Sequence, residues 1–391
     1  MRKLSFKELA LPVAFCFVLL ATTVLLLVVV EFAARLIKPT NAIARPIFPE
    51  YSRVNYSTRE FSTLAVVNRF GFRGEEAEVA PGQIATIGDS FTFGWGSNLR
   101  ETWQYKLEQR LSSTASPMKV YNLGRPGADP DDYLETARSY VPFLKPRIVV
   151  VSLVQGDDLA QLLEKRRLQG VSGRFLSSAR SFIKDHFRGV LSVIRGGQAS
   201  YQKVSATDGW GESARELIAR RRLHLPADLE EWAVSGNLNP GLISSAAEIP
   251  RQLTAPYETA NVGALKIQIS TILQEMSMMT KKAGGTIILF SMPNGPYFRT
   301  RFRDTFHRLG FDVPNLDYCD MEHFVADISH DLGIRYIVPT RKLRQNSNLS
   351  ELWYPFDGHL TEKGNEVVAE FIFEALTHPD QYAGSHDDVC E

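Results

Sequence analysis

Two short segments far apart in the chain carry the residue types of serine nucleophilic chemistry: Ile84-Ala85-Thr86-Ile87-Gly88-Asp89-Ser90 and Asp357-Gly358-His359. The first reads as a short buried strand that runs into a sharp glycine turn, which leaves the Ser90 hydroxyl at the carboxyl end of the strand, where nucleophiles sit. A serine hydroxyl attacks an ester only when a neighbouring base takes its proton. The second segment sets a carboxylate and an imidazole close together just before a helix, so one group can be the base and the other its orienting partner. Ser90, His359 and Asp357 are therefore the candidate catalytic residues, and this chemistry calls for no cofactor and no metal. Asp89 is read as a turn stabiliser. His323 and His330 lie seven residues apart on a predicted helix and lack zinc-ligand spacing.

Positioning these groups requires a scaffold, and from Gln83 onward strand-like and helix-like patterns alternate, as in a parallel sheet with helices on its faces. Strands are expected at the 84–90 segment, at 119–123, at the valine-rich run 148–154, at 286–292 and at 335–338. Asn98 with Glu101 predicts a capped helix over 99–111, with Trp103, Leu107 and Leu111 on its inner face. Asp129 followed by Pro130 starts a second helix, with Leu134, Ala137, Val141 and Leu144 at core spacing. Helices are also expected over 262–282, with Ile269, Leu273 and Met276 inward, and at the end, with Val367, Phe371 and Ala375 inward. Asn122-Leu123-Gly124-Arg125-Pro126-Gly127 follows the second strand and Gly156-Asp157-Asp158 the third. Ligand sites of open parallel sheets lie outside the carboxyl ends of the strands, so four segments converge on one crevice. Singly, Ser90 reads as a helix cap, Gly127 as a turn glycine and His359 as a satisfied loop histidine; their joint order favours chemistry.

The interval between the third and fourth strands is far longer than a crossover needs, so it holds a largely helical insertion at about 160–260. Within it, residues 175–194 mix apolar and basic side chains; packing on the domain is favoured over an amphipathic helix on a membrane surface. The Arg220-Arg221-Arg222 run reads as a solvated face.

The 391 residues carry 44 basic and 44 acidic side chains and are 44% hydrophobic, enough for a substantial core and without the basic footprint that nucleic acid requires. Between Leu11 and Val30 the chain is uncharged and aliphatic, long enough at ~1.5 Å per residue to cross a hydrocarbon core of about 30 Å. A signal peptide usually has a shorter apolar region and a small-residue cleavage site, so an uncleaved signal-anchor is favoured. Arg2, Lys3 and Lys7 before the span, against Arg35 and Lys38 after it, favour a cytoplasmic N-terminus. The expectation is a single-pass protein of the inner membrane with a periplasmic or otherwise extracytoplasmic catalytic domain. The chain divides into an anchor (1–34), a linker packing on the domain (35–80) and the catalytic domain (81–391). In the linker, Asn68-Arg69-Phe70-Gly71-Phe72-Arg73-Gly74 reads as a glycine-rich turn with an arginine paired to a surface carboxylate, favoured over a direct substrate contact. Of three cysteines, Cys16 lies in the span, leaving Cys319 and Cys390 to pair or stay free.

This order of blocks resembles the GDSL/SGNH hydrolase superfamily, and the layout of a single anchor, the Asn-Arg-Phe-Gly-Phe-Arg segment and the Gly-Asp-Ser block looks like its membrane-anchored bacterial branch. The resemblance covers residues 83–154 and the final third; it leaves the insertion unexplained. It implies an α/β fold, a flavodoxin-like α/β/α sandwich with a central parallel sheet of about five strands. It further implies Ser90 as nucleophile, His359 as base, Asp357 as its acidic partner, and an oxyanion hole from Ser90, Gly127 and the residue at position 157. Related proteins are carbohydrate esterases, O-acyltransferases of cell-surface polysaccharides or lipases. The implied function is that of a serine esterase or O-acyltransferase acting on acylated carbohydrate or lipid of the cell envelope; the alternative is a catalytically weak or inactive anchor that binds a glycan or a partner enzyme. Two positions depart from the family pattern. Asp157 stands where an asparagine amide usually donates to the oxyanion, so it must be protonated or turned away to leave the hole intact. Asp357 and His359 are separated by one residue instead of two.

Overall fold

The computed structural model of the protein describes residues 46–76, 78–168, 203–205, 209–241, 258–298, 301–309, 319–346 and 348–379, with Leu19, Thr22, Leu25, Leu26, Val29, Val30, Ile243 and Pro256 besides. Among these residues eight strands occur: β1 (Arg53–Ser57), β2 (Ser62–Val66), β3 (Ile84–Gly88), β4 (Val120–Gly124), β5 (Ile148–Val154), β6 (Lys203–Ser205), β7 (Thr286–Met292) and β8 (Arg335–Ile337). Five of them form an all-parallel sheet in the order β4-β3-β5-β7-β8, with Ile84 of β3 opposite both Val120 and Ile148. Counted within this sheet, the order is second, first, third, fourth, fifth, the flavodoxin-like arrangement, whose ligand crevice opens where the order reverses beside its first strand.

Hydrophobic content explains why these segments are strands at the centre. In β5, Val149, Val150, Val151, Leu153 and Val154 are fully buried, as β-branched residues covered on both faces should be. On one face Ile84, Val150, Val154, Ile288 and Phe290 share a core with Trp103, Leu107 and Leu111 of the helix Trp103–Ser112 and with Phe371, Ile372 and Ala375 of the helix Glu362–Thr377. The intervening residues point the other way. There the helices Pro130–Leu144 and Thr259–Lys282 pack on each other and on β3 and β7, bridged at their surface by Arg138 and Glu275. Asp129 caps Pro130–Leu144 as expected, accepting from the backbone N–H of Asp131 and Asp132.

Two local expectations are corrected. The helix expected over 99–111 is a 3-10 turn, Leu99–Glu101, followed by the helix Trp103–Ser112. Asn98 and Glu101 do form a capping box, but it closes the short turn; Thr102 then adopts an extended backbone and starts the longer helix by accepting from Tyr105. The segment read as a linker packing on the domain contains the antiparallel hairpin β1–β2, extended by parallel pairing of β1 with β6. Its inward residues on β2 are Thr63 and Ala65, small or polar, so hydrophobic periodicity does not reveal the strand.

The insertion contributes the helices Asp158–Leu168, Trp210–Arg221 and Ala227–Val234. Residues 175–194, Cys16 and Cys390 lie outside the described residues, and with them the amphipathic segment and any pairing of Cys319. The expected span at 11–30 also lies outside them, apart from Leu19, Thr22, Leu25, Leu26, Val29 and Val30, which are helical and exposed. No helix among the described residues is long and apolar enough to cross a membrane.

At the carboxyl end of the sheet, Gly88 and Gly124 are register partners, and the short helix Ser90–Phe93 rests against both. A Cβ on Gly124 would lie 2.1 Å from the backbone nitrogen of Phe93 and 2.5 Å from the carbonyl carbon of Thr92. Those atoms belong to a helix fixed at both ends and cannot yield as a flexible side chain would. Gly124→Ala is therefore expected to lower the free energy of unfolding by about 1–3 kcal/mol, the range for overpacking, read as a lower Tm; an unchanged Tm would show that the helix is free to shift.

Candidate active site

The turn that carries Ser90 is held by side chains set against its backbone groups. Asp89, at the end of β3, caps the helix Ser90–Phe93 by accepting from the N–H of Phe91 at 2.9 Å, and Gly94 ends it in the left-handed region at φ 82°. The Ser90 carbonyl accepts from the N–H of Gly94 and of Trp95, each at 3.0 Å, and outside side chains supply donors to the three carbonyls that follow. Trp103 Nε1 donates to Phe91 O at 3.3 Å, Gln104 Nε2 donates to Thr92 O, and Asn122 Nδ2 donates to Phe93 O at 3.2 Å. Arg73 donates through one guanidinium nitrogen to Phe93 O at 2.6 Å and Gly94 O at 2.7 Å, and through another to Ser97 O.

The two arginines of this motif therefore differ in what they do. Arg69 does pair with a surface carboxylate, Glu76, at 2.9 Å. Arg73 is instead 2% exposed and stacked over the Phe93 ring at 4.7 Å, and burial lowers its pKa to about 10. A cation set against carbonyls at a helix C-terminus also meets the negative end of the peptide dipoles.

The loop that carries Asp357 and His359 leads into the helix Glu362–Thr377. Trp353 and Leu360 form a bridge, Tyr354 N–H donates to His359 O at 2.9 Å, and Gly358 N–H donates to Tyr354 O at 3.1 Å. Gly358 sits at φ 84°, which a side chain would strain. This closed turn places Asp357 and His359 side by side despite the single intervening residue. His359 Nε2 lies 2.7 Å from Ser90 Oγ, and His359 Nδ1 lies 2.6 Å from Asp357 Oδ1. The other Asp357 oxygen accepts from Trp95 Nε1 at 3.3 Å. The imidazole ring is flanked by Phe91 at 4.8 Å and Trp95 at 5.8 Å between centroids. Trp95 is a contributor that sequence reasoning missed, because an indole shortly after the serine block carries no distinctive spacing.

Burial alone would lower the pKa of His359, but the charge and hydrogen bond of Asp357, with Asp89 and Asp157 further off, carry it above its usual 6.5. The carboxyls beneath it respond in turn. Asp89 rises from 3.8 to about 7, by burial first and by the Asp157 charge second. Asp158, fully buried, accepts from Tyr133 Oη and from Val154 N–H, each at 2.8 Å, and is pushed well above the carboxylate range by burial, Asp89 and Asp157. Asp157 is half-buried, accepts from the Gln161 side chain and is likewise raised, by burial. Its N–H donates to Val154 O at 3.3 Å.

Gly127 lies in the turn after β4 at φ 70°, tied to the nucleophile strand by the N–H of Arg125 donating to Gly88 O at 3.0 Å. Among the described residues, neither the N–H of Ser90 nor that of Gly127 has a hydrogen-bond partner. Free backbone donors beside a nucleophile are the raw material of an oxyanion site. No group of three or more His, Cys, Asp or Glu among the described residues could hold a metal ion, and His323 and His330 are both exposed.

No protein-family model and no curated protein sequence matches this chain. Solved structures similar to it include a lipase/acylhydrolase from Enterococcus faecalis, at 12% identity over 76% of this chain and 96% of that one, TM-score 0.39. A psychrotrophic esterase from Pseudoalteromonas sp. is 10% identical over 77% and 99%, TM-score 0.36. A catalytic mutant of an acetylxylan esterase from Geobacillus stearothermophilus is 12% identical over 76% and 95%, TM-score 0.35.

The raised pKa of Asp89 has a consequence for stability. A carboxyl whose pKa rises from 3.8 to about 7 on folding stabilises the fold below 3.8, and that contribution is lost as pH climbs through about 7. Asp89→Asn keeps an oxygen for the Phe91 N–H and removes the buried charge. Its Tm is expected to exceed that of the parent protein above pH 7, with the gap closing toward pH 4; a lower Tm across this whole range would mean that the ionised carboxylate is needed for folding.

Proposed function

We propose that the protein is a serine esterase of the GDSL/SGNH hydrolase type that cleaves O-acyl esters through an acyl-enzyme. The observation that carries this reading is the unbroken relay from Asp357 through His359 to Ser90, with both contacts at 2.7 Å or less. In the first step His359 Nε2 takes the proton of Ser90 Oγ, and the oxygen adds to the ester carbonyl. Asp357 fixes the Nδ1–H tautomer and stabilises the imidazolium that forms. The negative oxygen of the tetrahedral intermediate is received by the N–H groups of Ser90 and Gly127. Collapse expels the alcohol, which takes the proton from His359 Nε2 and leaves Ser90 acylated. An acceptor hydroxyl then gives its proton to His359 and attacks the acyl carbonyl, and Ser90 recovers its proton as the product leaves.

Water as acceptor makes the protein a hydrolase; a sugar hydroxyl makes it an O-acyltransferase by the same steps. The substrate class we favour is acylated carbohydrate or lipid of the cell envelope, reached by a domain held outside the inner membrane by the uncharged residues 11–30. Asp157 supplies no donor to the oxyanion while ionised, and its raised pKa brings the protonated, donating form closer to reach. The complete relay weighs against a purely binding role, since a glycan anchor has no use for an imidazole aimed at a serine hydroxyl.

Hydrolysis of a short-chain p-nitrophenyl ester tests the reading. Ser90→Ala and His359→Ala are each expected to lower kcat by about 1000-fold or more with Tm nearly unchanged. The base must be neutral to act, so kcat is expected to fall as pH drops through a pKa above 6.5. A Ser90→Ala variant that retained parental kcat would overturn the proposal.

A further inference from the structure

The hairpin that precedes the catalytic sheet reaches into the active site. In the turn between β1 and β2, Thr58 N–H donates to Phe61 O at 2.8 Å, and Thr58 Oγ1 accepts the N–H of Glu60 at 3.1 Å and of Phe61 at 3.3 Å. The turn is thereby fixed, and Glu60 and Phe61 engage the acid–base loop directly, with Arg59 reaching it through Trp232. Phe61 packs on Tyr354 with centroids 5.0 Å apart. Arg59 lies over the Trp232 ring at 4.3 Å, and Trp232 meets Phe356 edge-on at 4.7 Å. Between them the Glu60 carboxylate accepts two consecutive backbone N–H groups, that of Phe356 at 3.0 Å and that of Asp357 at 2.7 Å.

A carboxylate held by two adjacent peptide N–H groups fixes both the place and the tilt of the peptide between them, and that peptide carries the Cα of Asp357. The tilt sets the direction in which the Asp357 side chain leaves the backbone. A neutral acceptor would satisfy the same N–H groups without facing a second carboxylate, yet the chain places a half-buried glutamate beside Asp357. Resting on the esterase reading above, we infer that Glu60 is a positioning residue of the active site, which holds the backbone of Asp357 so that its carboxylate meets His359 Nδ1.

Glu60 also adds a proton equilibrium to the site. Burial raises its pKa from 4.5 to about 7, the Asp357 charge adds to the rise, and the two backbone N–H groups oppose it. The ionisable groups that face it are Asp357 and Tyr354; Arg59 and Arg308 are turned over the Trp232 and Phe356 rings. The ionised form accepts both N–H groups more strongly, so the grip on Asp357 weakens as pH falls through about 7. Full activity then takes neutral His359 together with ionised Glu60, so two proton losses shape the acid limb instead of one.

The test uses Glu60→Gln, which keeps one acceptor oxygen, Glu60→Ala, which keeps none, and Glu76→Gln as a control in the same segment. Glu60→Ala is expected to lower kcat by ~10- to 100-fold through misplacement of the acid, with KM within about twofold because the ester is not touched. Glu60→Gln is expected to fall between that and the parent protein, and the acid limb of log kcat against pH is expected to flatten from a slope above 1 to one near 1. The proton between His359 Nδ1 and Asp357, observed far downfield by proton NMR in water, is expected to shift or vanish in Glu60→Ala and to persist in Glu76→Gln. Folded Glu60→Ala with parental kcat and an unmoved resonance would overturn the inference. If Glu60→Ala fails to fold, the near-isosteric Glu60→Gln decides by its slope and resonance: parental values in both overturn the inference. If the parent protein turns over no ester but the resonance responds to Glu60→Ala, the esterase reading falls and the positioning role stands.

Discussion

The hydrogen bond between Asp357 and His359 Nδ1 is the contact on which the rest of the site depends. It sits where a carboxylate is poorly solvated, with the Asp357 side chain 3% exposed and the imidazole 16% exposed. A buried charge persists only if it is paired and hydrogen-bonded. Asp357 is paired with the imidazole, accepts from Trp95 and is held at its own N–H by Glu60. The charge in turn carries the histidine upward against its burial, which sets the pH range in which the base is free. Asp89, Asp157 and Asp158 lie behind the relay, and their crowding is eased by raised pKa values more than by cations. Ion pairs such as Lys106–Glu366 and Arg138–Glu275 lie at the surface between helices and contribute little to this balance.

Two opposite devices hold the reacting loops. Arg73, a cation, is set against carbonyls that follow the nucleophile; Glu60, an anion, is set against N–H groups of the acid–base loop. Both come from the stretch ahead of β3, outside the five-stranded sheet. The sheet supplies the platform, through the paired glycines Gly88 and Gly124 that let the nucleophile helix lie across the strand ends. The polar segments around it supply the aim.

How much of this is legible in the sequence follows from the kind of interaction involved. β3, β4, β5 and β7 are largely buried and mostly apolar, and the strands alternate with helices along the chain, so even the three-residue β8 can be placed from the pattern. Ser90, Asp357 and His359 are also legible, because the strand–turn–helix context and the position ahead of the last helix are local patterns. The hairpin β1–β2 is not, since its inward residues Thr63 and Ala65 leave no apolar alternation. Neither is the role of Arg73, for which a surface ion pair is the ordinary expectation and a buried set of carbonyls the unusual outcome. Glu60 contacts residues nearly three hundred positions away, and nothing local marks it. Contacts between side chains and a distant backbone depend on the fold and leave almost no imprint on sequence spacing.

On the esterase reading, the relay makes Ser90 an activated nucleophile. Intact-protein mass spectrometry after incubation with a fluorophosphonate, followed by peptide mapping, tests it most directly. One phosphonyl group per chain is expected on Ser90, with labelling strongly slowed in His359→Ala because the base no longer takes the serine proton. A folded protein that takes up no phosphonyl group, or takes it up on another residue, would contradict the account.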